Sequence, residues 1–161
     1  MKCKDVAYIL TALTNSTTFI CMQPNELIII IEDDLDDEIF LRDILIELGY
    51  QNQLKFFNNC NAALSFLKTT TDKLFLIICD VNLPGMSGTE FKKKINADPH
   101  LRKKAIPFIF YTTSANKLAI EQAYEMTVQG YFVKESNIPE IKSTVKVIID
   151  YWKRCKHPNS Q

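Results

Sequence analysis

Carboxylates crowd one short stretch of this sequence. The run "LIIIIEDDLDDEIF", from Leu27 to Phe40, carries an apolar segment directly into six acidic residues within seven positions. Carboxylates this close together raise one another's pKa unless a cation neutralises them. Oxygen ligands suit a hard divalent cation, most commonly Mg²⁺, and Mg²⁺ bound by one or two carboxylates leaves room for a substrate phosphate. The stretch therefore indicates a metal site beside the end of an apolar segment.

Three further polar residues that could take part in the chemistry of such a site follow later apolar runs. Asp80 lies in "IICDVNLPGMSG", Thr112 in "YTTSA" and Lys134 in "GYFVKES". If these runs are parallel strands of one sheet, their last residues meet Glu32 and Asp33 at its carboxyl edge. A hydroxyl and an ammonium there could bind phosphoryl oxygens. Each residue alone would be unremarkable, so the order and the shared edge are what make the set specific.

From Leu27 onward, strand-like apolar runs alternate with segments of helical spacing, and these elements would position the residues named above. Continuous apolar runs rich in β-branched residues are typical of strands buried on both faces. They are "LIIII", "QLKFF", "KLFLIICD", "IPFIFYTT" and "GYFVK". Segments with helical spacing follow each run, namely "DDEIFLRDILIELG", "CNAALSFLKTT", "GTEFKKKINAD", "ANKLAIEQAYEMT" and "IPEIKSTVKVIIDYWKRC". We expect Asp36, Asp37 and Glu38 to lie in the first turn of the first helix, where negative charge complements the helix dipole.

Residues with good capping side chains stand at the starts of three of these helices. They are Asn59 or Asn61 for the second helix, Ser87 or Gly88 for the third, and Ser136 or Asn137 for the last. Five β-α units predict an α/β fold with a doubly wound parallel sheet in the flavodoxin-like order 2-1-3-4-5 and helices on both faces. An eightfold barrel needs about 250 residues and is too large for this chain.

The domain occupies most of the chain. We expect an N-terminal extension of unknown role over residues 1–25, one domain over residues 26–154 and a polar tail over residues 155–161. The residues before Met22 carry no readable motif, and their leading charges and early polar break do not match a signal peptide. No linker or second domain is visible after Cys155, so any output would pass through another protein.

Composition narrows the class of function. The 19 basic and 19 acidic side chains leave no net charge, which argues against binding nucleic acid or a membrane surface. The five cysteines form no CxxC pair, which argues against a thiolate metal site and favours a reducing, cytoplasmic location. No apolar run reaches transmembrane length. The runs "KKK" (92–94) and "RKK" (102–104) are expected to be solvated faces rather than nucleic-acid contacts.

From about Glu26 to Arg154 the sequence resembles the receiver domain of two-component response regulators. The resemblance implies that Asp80 is the phosphoacceptor and that Thr112 and Lys134 bind the phosphoryl group. It also implies a Mg²⁺ site with Asp33 and Asp80 as direct ligands, Glu32 acting mostly through water, and Asn82 contributing its backbone carbonyl. Tyr131 corresponds to the aromatic switch residue that moves together with Thr112.

The resemblance also implies partners. The phosphoryl donor would be a histidine kinase or a histidine phosphotransfer protein, and the signal would pass to an unknown downstream protein by contact, not by enzymatic activity of this chain. The fourth helix, fifth strand and last helix would form the responding surface and a possible homodimer face. The long link "INADPHLRKKAIP" is similar to that of single-domain receivers found beside phytochrome-type kinases.

Three positions depart from the family pattern. Glu32 stands where aspartate is more frequent. Thr127 stands where glycine is common after the fourth helix, and a β-branched residue would be strained if the position needs a positive φ. Glu135 follows Lys134 where the family has proline, often in cis. A cis bond to any other residue costs about 2.5–4 kcal/mol, so we predict a trans peptide, with Lys134 still reaching Asp80.

Other functional classes fit the sequence less well. A Mg²⁺-dependent aspartyl-phosphate phosphatase or phosphotransferase of the haloacid dehalogenase type is the alternative, but Asp80 lacks the second aspartate of the DxDxT motif. A flavodoxin-like cofactor binder would need a phosphate-binding loop after the first strand, and here that loop is acidic. A pseudo-receiver would lack one of the site residues.

Overall fold

A five-stranded parallel sheet forms the centre of the molecule. A computed structural model describes residues 26–156, so the predictions for residues 1–25 and for 157–161 of the tail lie outside the described residues. The strands are β1 (Glu26–Ile31), β2 (Leu54–Phe57), β3 (Lys73–Cys79), β4 (Phe108–Thr112) and β5 (Gly130–Val133). They are hydrogen-bonded in the order β2-β1-β3-β4-β5, and every pair is parallel. The predicted fold class and strand order are confirmed.

Six α-helices connect and flank the strands within the described residues. They are α1 (Leu35–Glu47), α2 (Cys60–Thr69), α3 (Gly88–Ala97), α4 (Pro99–Lys104), α5 (Lys117–Glu125) and α6 (Ile138–Arg154). The N-caps are the predicted Asn59 for α2, Ser87 for α3 and Asn137 for α6, and Ser87 forms a capping box with Glu90. A bilayer span would need a longer and more apolar helix than any among residues 26–156.

The short helix α4 lies in the stretch that the sequence pattern predicts to be a link between α3 and β4. Asp98 caps it by accepting hydrogen bonds from the backbone N–H groups of His100 and Leu101, and Pro99 occupies the first turn. Only Leu101 among its six residues is buried. One buried residue cannot produce the repeat of apolar residues every three to four positions that identifies longer helices, so this helix has no such signal in the sequence.

Two apolar cores lie on opposite faces of the sheet because side chains alternate along each strand. In β1, Ile28 and Ile30 face one core, whereas Ile29 and Ile31 face the other. Helices α1 and α6 cover the first of these faces. The remaining four helices contribute buried residues to the second face. The helices therefore lie on both faces, as predicted.

The end of α5 carries local backbone strain. Thr127 has a φ of 58°, so the predicted conflict between a β-branched side chain and a left-handed backbone is confirmed. The Thr127 hydroxyl donates to the carbonyl of Met126 at 2.6 Å, and Gln129 Nε2 donates to the carbonyl of Thr127 at 2.8 Å. The Gln129 side chain also accepts from the backbone N–H of Phe108 at 2.7 Å, which ties this turn to the start of β4.

Lys92 is buried, and the expectation of a solvated face is wrong for this residue. It is 5% exposed, whereas Lys93 and Lys94 are exposed as expected. Helical spacing places Lys92 on the inner face of α3 with Gly88 and Ile95. Its Nζ lies 5.0 Å from the centroid of the Phe108 ring, and no carboxylate within residues 26–156 pairs with it. Burial lowers the pKa of Lys92 from 10.5 to about 8.

Replacing Lys92 with methionine should stabilise the protein by about 1–2 kcal/mol at pH 7, because burying the ammonium disfavours the folded state. Between pH 8 and 10.5 the unfolded chain binds more protons at this position than the folded one. The free energy of unfolding of the parent should therefore rise across that window relative to the variant. Urea unfolding at pH 7, 8, 9 and 10 measures both effects.

The exposed neighbour Lys93 provides the control, because Lys93→Met removes the same charge without altering a buried group. It should change the free energy of unfolding by no more than about 0.5 kcal/mol at any pH. Equal behaviour of the two variants would contradict the buried ammonium.

Candidate functional site

Three carboxylates meet where β1 and β3 end. These strands are neighbours, with Ile31 opposite Cys79, and the backbone N–H of Asp80 donates to the carbonyl of Ile31 at 3.0 Å. Glu32 and Asp80 are 4% and 7% exposed, whereas Asp33 is exposed. One carboxylate oxygen from each of these three residues lies within 4.8 Å of the others. The edge predicted from the strand ends thus brings the three acids together.

The loop after β3 holds Asp80 from the other side. The backbone N–H of Asn82 donates to Asp80 Oδ1 at 3.1 Å. Helix α3 begins directly against the strand end, because a Cβ on Gly88 would lie 2.2 Å from the carbonyl oxygen of Asp80. Glycine at this position permits the close approach and so orients the aspartate.

Lys134 supplies the positive charge of the site. Its Nζ lies 2.6 Å from Glu32 Oε2, 2.6 Å from Asp37 Oδ2 and 3.4 Å from Asp80 Oδ2. The Lys134 side chain is 9% exposed, and its contacts with Glu32 and Asp80 are largely shielded from water, whereas the Asp37 side chain is 42% exposed. The backbone N–H of Lys134 donates to the carbonyl of Thr112 at 2.8 Å, continuing the ladder beyond β5. Lys134 therefore reaches Asp80, as predicted.

Burial and ion pairing shift the pKa values of Glu32 and Lys134 in opposite directions. Burial raises the pKa of Glu32, although the hydrogen bond and the charge of Lys134 oppose the rise. Burial would lower the pKa of Lys134, but hydrogen bonds to Asp37 and Glu32 and the charges of Glu32 and Asp80 outweigh it and raise that pKa. Lys134 is consequently a firmly protonated cation that makes the crowding of the carboxylates tolerable.

Asp37 is a site residue that the sequence interpretation missed. It lies in the first turn of α1 as predicted, but its carboxylate also pairs with Lys134. The N-cap Asp34 accepts hydrogen bonds from the backbone N–H groups of Asp36 and Asp37 and orients this turn. Asp37 precedes the buried Leu41 by four residues, so it lies on the core-facing side of α1 at the end nearest the strand ends. That spacing was the signal available in the sequence.

Thr112 and Tyr131 meet at Ser114. Thr112 is fully buried, and its hydroxyl accepts from the backbone N–H of Ser114 at 3.3 Å. The Tyr131 hydroxyl donates to the carbonyl of Ser114 at 2.8 Å. The Tyr131 ring packs edge-on to Phe110 with 5.9 Å between centroids. The two predicted switch residues are thus linked through one loop residue beyond β4.

The Glu135 carboxylate accepts hydrogen bonds from hydroxyl groups on α6 and β4. The peptide bond between Lys134 and Glu135 is trans, as predicted. The Thr144 hydroxyl donates to Glu135 Oε1 at 2.5 Å, and the Tyr111 hydroxyl donates to Glu135 Oε2 at 3.4 Å. Burial and the charge of Glu135 raise the pKa of Tyr111. The loop between β5 and α6 is therefore anchored to α6 and β4 by a carboxylate instead of a proline.

The donor set of this edge fits a hard divalent cation. The carboxylates of Glu32, Asp33 and Asp80 offer only oxygen atoms, which Mg²⁺ and related ions prefer. Exposed Asp33 gives the group a face open to solvent. The same carboxylates of Glu32 and Asp80 also contact the ammonium of Lys134.

The chain matches one protein family along most of its length. The profile described as "Response regulator receiver domain" matches residues 28–146. Response regulator Rcp1 of Synechocystis is 28% identical over 134 residues, which cover 80% of this chain and 90% of Rcp1. Chemotaxis protein CheY-3 of Vibrio cholerae is 27% identical over 129 residues, covering 80% of this chain and 95% of CheY-3.

Solved structures with the same fold include those of two response regulators, RcpA and Rcp1. The crystal structure of the phosphorylated cyanobacterial phytochrome response regulator RcpA has a TM-score of 0.74 and 25% identity, covering 83% of this chain and 99% of RcpA. The Mn²⁺-bound form of Rcp1 has a TM-score of 0.71 and 26% identity, covering 82% of this chain and 97% of Rcp1.

Proposed function

Because this chain belongs to the response regulator receiver domain family, we propose that Asp80 accepts a phosphoryl group and that the chain is a signalling protein of a two-component phosphorelay. The observation that carries the proposal is the convergence of side chains at one edge of the sheet. Three carboxylates have oxygens within 4.8 Å of one another, and Lys134 Nζ lies 3.4 Å from Asp80. This combination suits transfer of a dianionic group to a carboxylate.

The proposed donor is a histidine kinase or a histidine phosphotransfer protein that presents a phosphohistidine. An oxygen of Asp80 attacks the phosphorus in line, the oxygen–phosphorus bond forms, and the phosphorus–nitrogen bond breaks as the imidazole leaves. Lys134 would donate a hydrogen bond to a phosphoryl oxygen, a role supported by the 3.4 Å between its Nζ and Asp80 Oδ2. Glu32, Asp33, Asp80 and the backbone carbonyl of Asn82 would hold Mg²⁺, which when bound supplies positive charge beside those oxygens.

The proposed response to phosphorylation passes through Thr112. Its buried hydroxyl would turn towards the phosphoryl group and give up its contact with Ser114, which Tyr131 also contacts. Both movements would reach the surface formed by α5, β5 and α6. Leu118 and Val133 on that surface are 59% and 40% exposed, which supports a protein-binding role and a possible homodimer face.

The proposed output is a protein contact and not an enzymatic reaction of this chain. The absence of net charge argues against nucleic acid as the target. The proposed location is the cytoplasm. Cys60, Cys79 and Cys155 are free thiols, and a reducing compartment keeps thiols in this state. The downstream partner would recognise the α5-β5-α6 surface.

Incubation with acetyl phosphate and Mg²⁺ tests the proposal by intact-mass measurement. The parent should gain one phosphoryl group that hydroxylamine removes, and Asp80→Asn should gain none. Asp72→Asn is the control, since Asp72 is an exposed aspartate just before β3, and it should be phosphorylated like the parent. Uptake by Asp80→Asn equal to that of the parent would refute Asp80 as the phosphoacceptor.

A further inference from the structure

We infer that Asp37 is a positioning residue that draws the ammonium of Lys134 towards α1 and so leaves Asp33 and Asp80 open to a divalent cation. This inference rests on the metal site of the proposed function. It assigns a role to a carboxylate outside the three that could share the ion.

The distances show where the ammonium is held. Lys134 Nζ lies 2.6 Å from both Glu32 and Asp37, the range of strong charge-assisted hydrogen bonds, but 3.4 Å from Asp80. Of these two short contacts, the one to Glu32 involves a candidate metal ligand, whereas the one to Asp37 does not. An ammonium has three N–H donors, so a lost contact would be replaced by another nearby acceptor.

The nearest replacement would be a candidate metal ligand. The Lys134 side chain is only 9% exposed, so the ammonium cannot turn freely into water if the Asp37 carboxylate is removed. Its remaining carboxylate partners are Glu32 and Asp80. Drawn closer to Asp80, the ammonium would occupy an oxygen that a cation needs and would repel the cation directly.

Neighbouring acids of the same helical turn lack this contact. Asp36 is exposed, and Glu38 pairs with Arg42 at 2.5 Å. The role inferred for Asp37 therefore depends on one ion pair and not on the general negative charge of the first turn of α1. Removing the charge of Asp36 separates the two explanations.

Calorimetric titration with Mg²⁺ tests the inference on the full chain. Asp37→Asn should weaken Mg²⁺ binding about tenfold, the size expected when one charge-assisted hydrogen bond is redirected. Asp36→Asn should weaken it less than about twofold, because the charge is exposed and screened. Asp37→Glu keeps a carboxylate within reach and should bind within about threefold of the parent.

A double-mutant cycle makes the test specific to Lys134. In a Lys134→Met background the competing ammonium is gone, so Asp37→Asn should cost no more affinity than Asp36→Asn. The inference is wrong if Asp37→Asn and Asp36→Asn behave alike, if the loss persists in that background, or if the parent binds no Mg²⁺. Should Lys134→Met not fold, the comparison of Asp37→Asn, Asp37→Glu and Asp36→Asn decides alone.

The phosphorylation assay is a separate measurement. If Mg²⁺ binding follows the expected pattern but Asp80 accepts no phosphoryl group, the proposed function fails and the role of Asp37 stands. If Asp80 is phosphorylated but Asp37→Asn binds Mg²⁺ like Asp36→Asn, only the role of Asp37 fails.

Discussion

Replacing Lys134 with methionine should lower the free energy of unfolding of the metal-free protein by about 3 kcal/mol. Removing one partner of a buried ion pair leaves the other charge uncompensated, which is far costlier than losing a surface pair. Here the Lys134 ammonium pairs with Glu32 and Asp80, whose side chains are 5% and 9% exposed, and also with Asp37. Methionine fills a similar volume, so the loss of packing should be small.

Urea unfolding in the presence of a chelator measures this effect, with Lys142→Met as the control. Lys142 pairs with Glu47 on the surface, where side-chain exposures of 39% and 62% predict a cost below about 1 kcal/mol. Saturating Mg²⁺ should reduce the deficit of Lys134→Met, because the cation then neutralises the same carboxylates. Similar costs for the two variants would show that Lys134 is not the charge on which the folded site depends.

Replacing Asp33 with asparagine should weaken Mg²⁺ binding by about a hundredfold and yet raise the melting temperature of the metal-free protein. The first effect follows from the proposed role of Asp33 as a charged ligand of Mg²⁺. Loss of such a ligand should cost more affinity than a change in a residue that only orients a ligand. The second follows because Asp33 is exposed and accepts no side-chain hydrogen bond within residues 26–156. The amide loses no contact and relieves repulsion with Glu32 and Asp80.

Thermal unfolding with and without Mg²⁺ measures both effects. A gain of about 1 kcal/mol should raise the melting temperature by about 2–4 °C in a chain of this size. Asp43→Asn is the control, since Asp43 is an exposed aspartate further along α1 and should leave Mg²⁺ affinity unchanged. A lower melting temperature of metal-free Asp33→Asn would mean that the Asp33 carboxylate stabilises the fold instead of opposing it.

The sequence alone determined the sheet and the residues at its carboxyl edge. Buried parallel strands form nearly continuous apolar runs, so their carboxyl ends are marked by the first polar residue after each run, such as Glu32 after β1 and Asp80 after β3. The βα alternation then determined which ends meet. The strain at Thr127 and the trans bond before Glu135 could also be predicted, because both follow from local backbone preferences of single residues.

The tertiary structure alone decided which polar side chains face which neighbours. Asp36, Asp37 and Glu38 are all first-turn acids, and the spacing to Leu41 indicates only which side of α1 carries Asp37. The ion pair of Asp37 with Lys134 depends on how α1 packs against the sheet. Three consecutive lysines begin at Lys92, but the position of α3 on the sheet buries that one ammonium against Phe108. The physical reason is that burial and pairing depend on how elements pack in three dimensions, whereas the sequence pattern reports only the period within each element.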